Sequence, residues 1–232
     1  MRRRFLYQLL LTGWAAGLGH PVEAQELSGL SSGQVTQGLR EALARGARLA
    51  VEQLGRPDGF LGNERLRIGL PPLLHDAQGL LRTLGQGARL DALVTAMNRA
   101  AEAAVPLARD LLLGAIQSLS IQDAKAILTG GDTSVTQFFA DKTRAPLTQK
   151  FLPIVTQATE RVDLAGRYNQ LVDRVSGMGL VRGKAERVEN HVTDRALDAL
   201  YTVIGEQERK LRQDPLGSGS AVLKKVFGAL RR

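Results

Sequence analysis

The sequence predicts an all-α chain: one multi-helix, bundle-like domain with a short extended strap, behind an N-terminal signal peptide. Three observations carry that prediction. Apolar residues recur at steps of three and four along most of the chain, marking one buried helical face after another. Aromatic residues make up only 4% and alternating β-branched runs are nearly absent, so Leu, Ala and Val on helices must build the core. Glycine, proline and serine separate the periodic stretches where helices start and stop. With 232 residues, 44% of them hydrophobic, there is material for a single domain with a sizeable core.

Residues 1–24 read as an export signal. Arg2, Arg3 and Arg4 form its basic start, Phe5 to Leu18 its apolar stretch, and Val22-Glu23-Ala24 a small-residue cleavage site before Gln25. The apolar stretch is too short to span a bilayer and carries Gly13 and Gly17. Cleavage after Ala24 leaves residues 25–232 as one exported, periplasmic domain. It removes three arginines and one glutamate, so the formal charge of +8 falls to +6. Arg2-Arg3-Arg4-Phe5-Leu6 also fits a loose twin-arginine pattern, which leaves the export route open. In an exported protein a basic balance points to anionic lipid, wall polymer or plain solubility before nucleic acid. The partner expected is an anionic membrane surface or an envelope protein, and no nucleic acid.

Ser31 or Ser32 can cap a first helix to about Leu54, with Val35, Leu39, Ala42, Leu43, Gly46, Ala50 and Leu54 as its stripe. Gly55-Arg56-Pro57-Asp58-Gly59 is a turn by composition. Arg65 to Leu70 is the only alternating segment. It reads as a strap whose Leu66, Ile68 and Leu70 cover the bundle, with a two-stranded ribbon as the alternative. Pro71-Pro72 opens a helix to about Leu84 with Leu73, Leu74, Ala77, Leu80, Leu81 and Leu84 facing inward.

From Asp91 to Glu160 the chain reads as an array of helical hairpins. Leu90, Leu93, Val94, Met97, Ala100, Ala101 and Ala104 share one face, and Pro106 forces a kink or a restart. Ser120 with Asp123 forms a capping box. Gly130 and Gly131 can end that helix in the left-handed region, with Asp132 capping the next. Pro146 is expected to start a helix bearing Leu147, Phe151, Ile154, Val155 and Ala158. A shorter helix carries Tyr168, Leu171 and Val172, and Ser176 to Glu189 is a glycine-rich, charged loop. Asn190 can cap a long helix from His191 to about Gln213, with Ala196, Leu200, Val203, Ile204, Gln207 and Leu211 inward. Asp214-Pro215 stops it, and Ser218 or Ser220 caps a last helix. Met97, Leu93, Ala101, Phe138, Ile154, Leu200 and Val203 are expected in the core.

Several phrases stand together in order: Leu54 to Phe60 (LGRPDGF), Met97 to Pro106 (MNRAAEAAVP), Ile127 to Thr133 (ILTGGDT), Phe151 to Val155 (FLPIV), Val192 to Asp198 (VTDRALD) and Leu223 to Gly228 (LKKVFG). In this order they resemble the bacterial family known as domain of unknown function 4197, a set of exported, helix-rich proteins. The likeness runs from about Leu27 to Gly228. It implies a helical fold and brings no activity, so no functional residue is carried over. The loop at Ser176 to Glu189 departs from the family, whose members tend to carry a longer, more apolar, proline-containing stretch there.

Chemistry has few places to sit. No cysteine is present, which excludes disulfides, thiolate catalysis, Cys-ligated zinc and a lipid on cysteine. His20, His75 and His191 are scattered, without the i, i+4 partner of a helical zinc site. Ser118, Ser120 and Ser134 lack the glycine elbow of G-x-S-x-G. The turn at Gly130 to Ser134 lacks the lysine and spacing of a phosphate-binding loop. No catalytic residue, metal ligand or cofactor follows from the sequence. Asn98, Arg99 and Glu102, three and four apart on one helix, can hold a polar ligand or partner, or form a solvated ion pair. Lys224, Lys225, Arg231 and Arg232 flank an apolar face that includes Phe227. That basic amphipathic helix can lie on an anionic membrane surface or dock on its own domain. These features predict a non-enzymatic binding or structural protein of the cell envelope, the alternative being a binder of a small apolar or amphiphilic, lipid-like ligand between helices.

Overall fold

The computed structural model describes residues 29–122, 124–178 and 186–230. The fold is all-α. In chain order it contains α1 (Ser32–Leu54), α2 (Pro72–Thr83), α3 (Gly87–Ala104), a 3-10 turn (Val105–Ala108), α4 (Arg109–Ser118) and α5 (Ala124–Leu128). Then follow α6 (Ser134–Glu160), α7 (Leu164–Gly177), α8 (Val188–Gln213), a second 3-10 turn (Leu216–Ser218) and α9 (Ala221–Gly228). The helices form two clusters. One gathers α4, α5, α8 and α9 around α1, and the other gathers α2, α6, α7 and α8 around α3. Helices α6 and α8 pack along each other and join the clusters. A single hydrophobic core runs through both. Among the described residues no helix is long and apolar enough to cross a membrane.

The start of α1 follows its sequence closely. Ser31 Oγ accepts from Gln34 N, and Gln34 Oε1 accepts from Ser31 N, both at 3.2 Å, closing a capping box. Leu30 and Val35, placed one residue before and four after the cap, are both buried. Val35, Leu39, Leu43, Gly46, Ala50 and Leu54 are buried as the stripe predicts, and Ala42 is half-buried. At Gly38 the side chain of Val226 comes so close that a Cβ would meet it at 2.7 Å, so the glycine lets α9 lie directly on α1.

Three helix boundaries and one apolar stripe differ from the sequence reading. Pro146 does not start a helix: Ser134 to Glu160 is continuous, with Pro146 and Pro153 inside it. The two prolines are seven residues apart, on one face, and both are exposed. The carbonyls they deprive of a donor belong to Lys142 and Gln149, which are exposed too, so water can replace the missing bonds. Asn190 does not cap α8, which begins at Val188, after Arg187. The stripe of α2 is narrower than its leucines suggest, since only Leu74 and Leu81 are buried and Leu80 and Leu84 are exposed. The break after α5 differs as well, because Glu208 on α8 caps the helix that follows it.

Most of the expected core is in place: Leu93, Met97, Ala101, Leu200 and Val203 are buried. Two expectations are off by one residue. Phe139 and Val155 occupy the core, while Phe138 and Ile154 are half-buried, a register set by the uninterrupted α6. Residues 55–71 form an irregular strap. Ile68 is fully buried and Leu66 and Leu70 pack at the core edge, and no strand pairs with it among the described residues. Asp123, half of the expected capping box, lies outside the described residues, as do 1–28 and 179–185.

Candidate functional site

Asn98, Arg99 and Glu102 lie together on α3, beneath the strap. Asn98 is wholly buried. Its Oδ1 accepts from Ile68 N at 2.8 Å, and its Nδ2 donates to Ile68 O at 2.8 Å and to Val94 O at 2.7 Å. One side-chain amide thus satisfies both backbone groups of Ile68, as a neighbouring strand would. Glu102 Oε1 accepts from the amides of Phe60 and Leu61, each at 3.1 Å. Its Oε2 accepts from Arg99 Nη1 at 2.7 Å, and Arg99 Nη2 reaches Asp58 Oδ1 at 2.8 Å. The charged bonds to Glu102 first, then to Asp58, hold the Arg99 guanidinium above its ordinary pKa. A fourth tie comes from α8, where His191 Nε2 donates to Gly69 O at 3.0 Å. Burial lowers the His191 pKa, and the bond to Gly69 partly opposes this.

The strap is therefore clamped along its length. Asp58 takes a left-handed φ of 62°, turning its carboxylate towards Arg99. Gly55 lies against the ring of Pro106, where a Cβ would meet Cγ at 2.6 Å. The phrases Leu54 to Phe60 and Met97 to Pro106 are thus two halves of one contact. The three residues singled out in the sequence do come together, but Asn98 and Glu102 Oε1 are bonded to the chain's own backbone and Glu102 Oε2 to Arg99.

A second buried cluster escaped the sequence reading. Glu208 on α8 accepts from Val135 N at 3.1 Å and Thr136 N at 2.8 Å, and from the Thr136 hydroxyl at 2.7 Å. These are amides of the first turn of α6, so a carboxylate from another helix acts as its N-terminal cap. Arg212, one turn on, pairs with Glu208 at 2.8 Å. Its Nη1 donates to Leu128 O and its Nη2 also to Ser134 Oγ, each at 2.8 Å, and its guanidinium lies 5.7 Å from the centre of the Phe227 ring. Arg212 thereby joins the end of α5, the start of α6, and α9. A sequence signal was available: Glu208 falls in register with Leu200, Ile204 and Leu211, a carboxylate on an apolar stripe.

This cluster explains the corrected break after α5. Neither Gly130 nor Gly131 adopts a positive φ. Gly130 is small because Ser134 crowds it, a Cβ there meeting Ser134 Cβ at 2.6 Å. Asp132 is exposed, 3.9 Å from Arg209, and the cap position falls to Thr133, which makes no side-chain bond to the helix. Glu208 has taken the amides that Asp132 was expected to serve.

The protein family described as "Protein of unknown function (DUF4197)" matches residues 29–228. The chain belongs to that family. Nothing matches among curated proteins or among solved structures. Several phrases of this DUF4197 chain that carried the resemblance converge on the two clusters: Leu54 to Phe60 and Met97 to Pro106 on the first, Ile127 to Thr133 and Leu223 to Gly228 on the second.

At the C-terminus of this family member, Ser220 Oγ accepts from Leu223 N at 3.3 Å and caps α9. Leu223, Val226 and Phe227 are buried against the bundle, and Lys224 and Lys225 are exposed. Phe227 is thus not available as a membrane-surface residue while α9 is docked; it fills the core beneath Arg212. Arg231 and Arg232 lie outside the described residues. Among the described residues no three His, Cys, Asp or Glu side chains are grouped to hold a metal ion.

Proposed function

We propose that this DUF4197 member is an exported, non-enzymatic binding or structural protein of the cell envelope, working in the periplasm after cleavage behind Ala24. The observation that carries the reading is where its buried polar groups are spent. Asn98, Glu102, Glu208 and Arg212 are the residues best suited to chemistry, and each is bonded to backbone or to a neighbouring side chain. Groups held in this way brace a fold. Export rests on the basic, apolar and small-residue sequence of residues 1–24. Fractionation with N-terminal sequencing tests it: the expected product starts at Gln25 and is released with the periplasmic contents. A cytoplasmic product retaining Met1 would overturn it.

A contact with anionic membrane follows from the same reading and is carried by charge alone. Lys224 and Lys225 are exposed, and attraction to an anionic surface is about 1 kcal/mol per basic residue, decaying within a Debye length. Flotation with anionic liposomes should therefore vanish at high salt. Binding that persists at high salt, or equal flotation with neutral lipid, would show that α9 leaves the bundle or that charge has no part.

A further inference from the structure

A groove of about 670 Å³ runs between α4 and α6 and is also lined by Leu119, Ser120 and Gln122. That volume falls within the roughly 300–1,000 Å³ of small-molecule sites. Its floor is apolar. Leu111 and Ala115 come from α4, Phe138 and Leu147 from α6, and Leu119 from the segment after α4. Leu111, Ala115 and Phe138 are only partly covered by the rest of the protein. Phe138 belongs to the groove because the continuous α6 gives the core position to Phe139. The rim is polar and unequal. Lys142 and Lys150, two turns apart on α6, stand on it, and among the described lining residues the one carboxylate facing them is Asp110 on α4. Lys142 is held over the Phe138 ring, its Nζ 5.9 Å from the ring centre, which keeps its charge above the apolar floor.

We propose that this groove binds a free fatty acid, its single alkyl chain along the floor and its carboxylate at Lys142 and Lys150. Among the described lining residues two lysines face one aspartate, an excess of one positive charge that matches a singly charged head rather than a dianionic phosphate. A trough between two adjacent helices has the shape for one chain. The proposal rests on the binding reading above and adds to it a site and a ligand class.

Gly114 supplies the discriminating variant. It lines the groove, and a Cβ built on it meets nothing within 4 Å. Gly114→Trp therefore has open space at its Cβ and brings a ring to the groove wall, and it replaces the least helix-favouring residue other than proline within α4. The variant is expected to melt no lower than the wild type. Calorimetry on the purified protein would use dodecanoate, octanoate and dodecyltrimethylammonium below their micellar concentrations. Dodecanoate is expected to bind at least tenfold more tightly than either of the others. Gly114→Trp should lose at least tenfold in dodecanoate affinity. The double variant Lys142→Glu, Lys150→Glu should reverse the preference towards the cationic amphiphile. Equal binding of dodecanoate and dodecyltrimethylammonium, or undiminished binding by Gly114→Trp, would overturn the site. Failure here leaves export and envelope residence standing, since those are read by fractionation.

Discussion

Two of the buried glutamates, Glu102 on α3 and Glu208 on α8, each hold two consecutive backbone amides of a distant segment and each pair with a nearby arginine. Their surroundings differ. Glu102 fastens an irregular strap, and its partner Arg99 remains 40% exposed and shares itself with Asp58. Glu208 caps the first turn of a 27-residue helix, and its partner Arg212 is only 10% exposed and bonded to three segments. Geometry of the same kind thus serves two purposes. At Glu102 it secures a loop that water can partly reach; at Glu208 it replaces water at a junction of helices. Removing a partner should cost more where less water is available to take its place.

Arg212→Met should therefore have the largest effect. It leaves Glu208 charged and buried with one counter-charge gone, a change of about 3–5 kcal/mol. Urea denaturation should show the loss, and adding Glu208→Gln to Arg212→Met should restore part of it, since the stranded charge is then removed. An Arg99→Met variant as damaging as Arg212→Met would erase the distinction between the two sites.

Asn98→Ala comes next. It strands the amide and carbonyl of Ile68 beneath the strap, at a cost of about 1–3 kcal/mol. The damage should be local. Amide exchange at Ile68 should accelerate well before exchange in α8, whereas Arg212→Met should accelerate exchange at the start of α6. If both variants loosen the same amides, the strap and the junction are one cooperative unit.

Glu102→Gln retains an oxygen for Phe60 and Leu61 and loses the charge that strengthens those bonds. About 1–2 kcal/mol is expected, less than for Arg212→Met. Protease cleavage within residues 55–66 should rise modestly while the thermal midpoint moves little. A collapse of the whole fold would place Glu102 in the class of Glu208.

The comparison also shows how far each cluster could be read from sequence. The first was visible because Asn98, Arg99 and Glu102 sit among alanines and Met97, where polar residues stand out. Its partners were not visible, because the strap meets α3 through backbone atoms that no side-chain pattern records. Glu208 was hidden by its setting, Gly-Glu-Gln-Glu-Arg-Lys-Leu-Arg, which reads as a solvated face. Choosing Gln207 for the inner face missed the register by one residue. The prolines of α6 misled for a related reason. Local rules forbid proline inside a helix, but the carbonyls left without a donor belong to exposed residues, Lys142 and Gln149, which lowers the cost once packing holds the helix on both sides. Helix existence and the main apolar stripes were local properties and were legible. Caps supplied from other helices are tertiary and were not.

The smallest effect concerns pH, and it separates the clusters by chemistry rather than by burial. Only the strap is tied by a histidine, His191, whose Nε2–H donates to Gly69 O. Burial lowers its pKa below 6.5, while Arg195 lowers it further and Gly69, Glu186 and Asp194 act in the opposite sense. The unfolded chain therefore takes up a proton near pH 6.5 at which the folded protein still resists it. The stabilising contribution is present above 6.5 and is lost as pH falls through the lowered value. His191→Asn keeps a donor near Gly69 and abolishes the titration. Between pH 8 and pH 5.5 the wild type should lose more stability than His191→Asn, and the protection factor of the Ile68 amide, its exchange rate relative to the intrinsic rate at each pH, should fall on acidification in the wild type alone. Exchange at Val135 and Thr136, held by Glu208, should track between the two proteins at every pH. A larger acid loss in His191→Asn than in the wild type would reverse the sign and show that the imidazolium, not the neutral ring, is what the folded protein prefers.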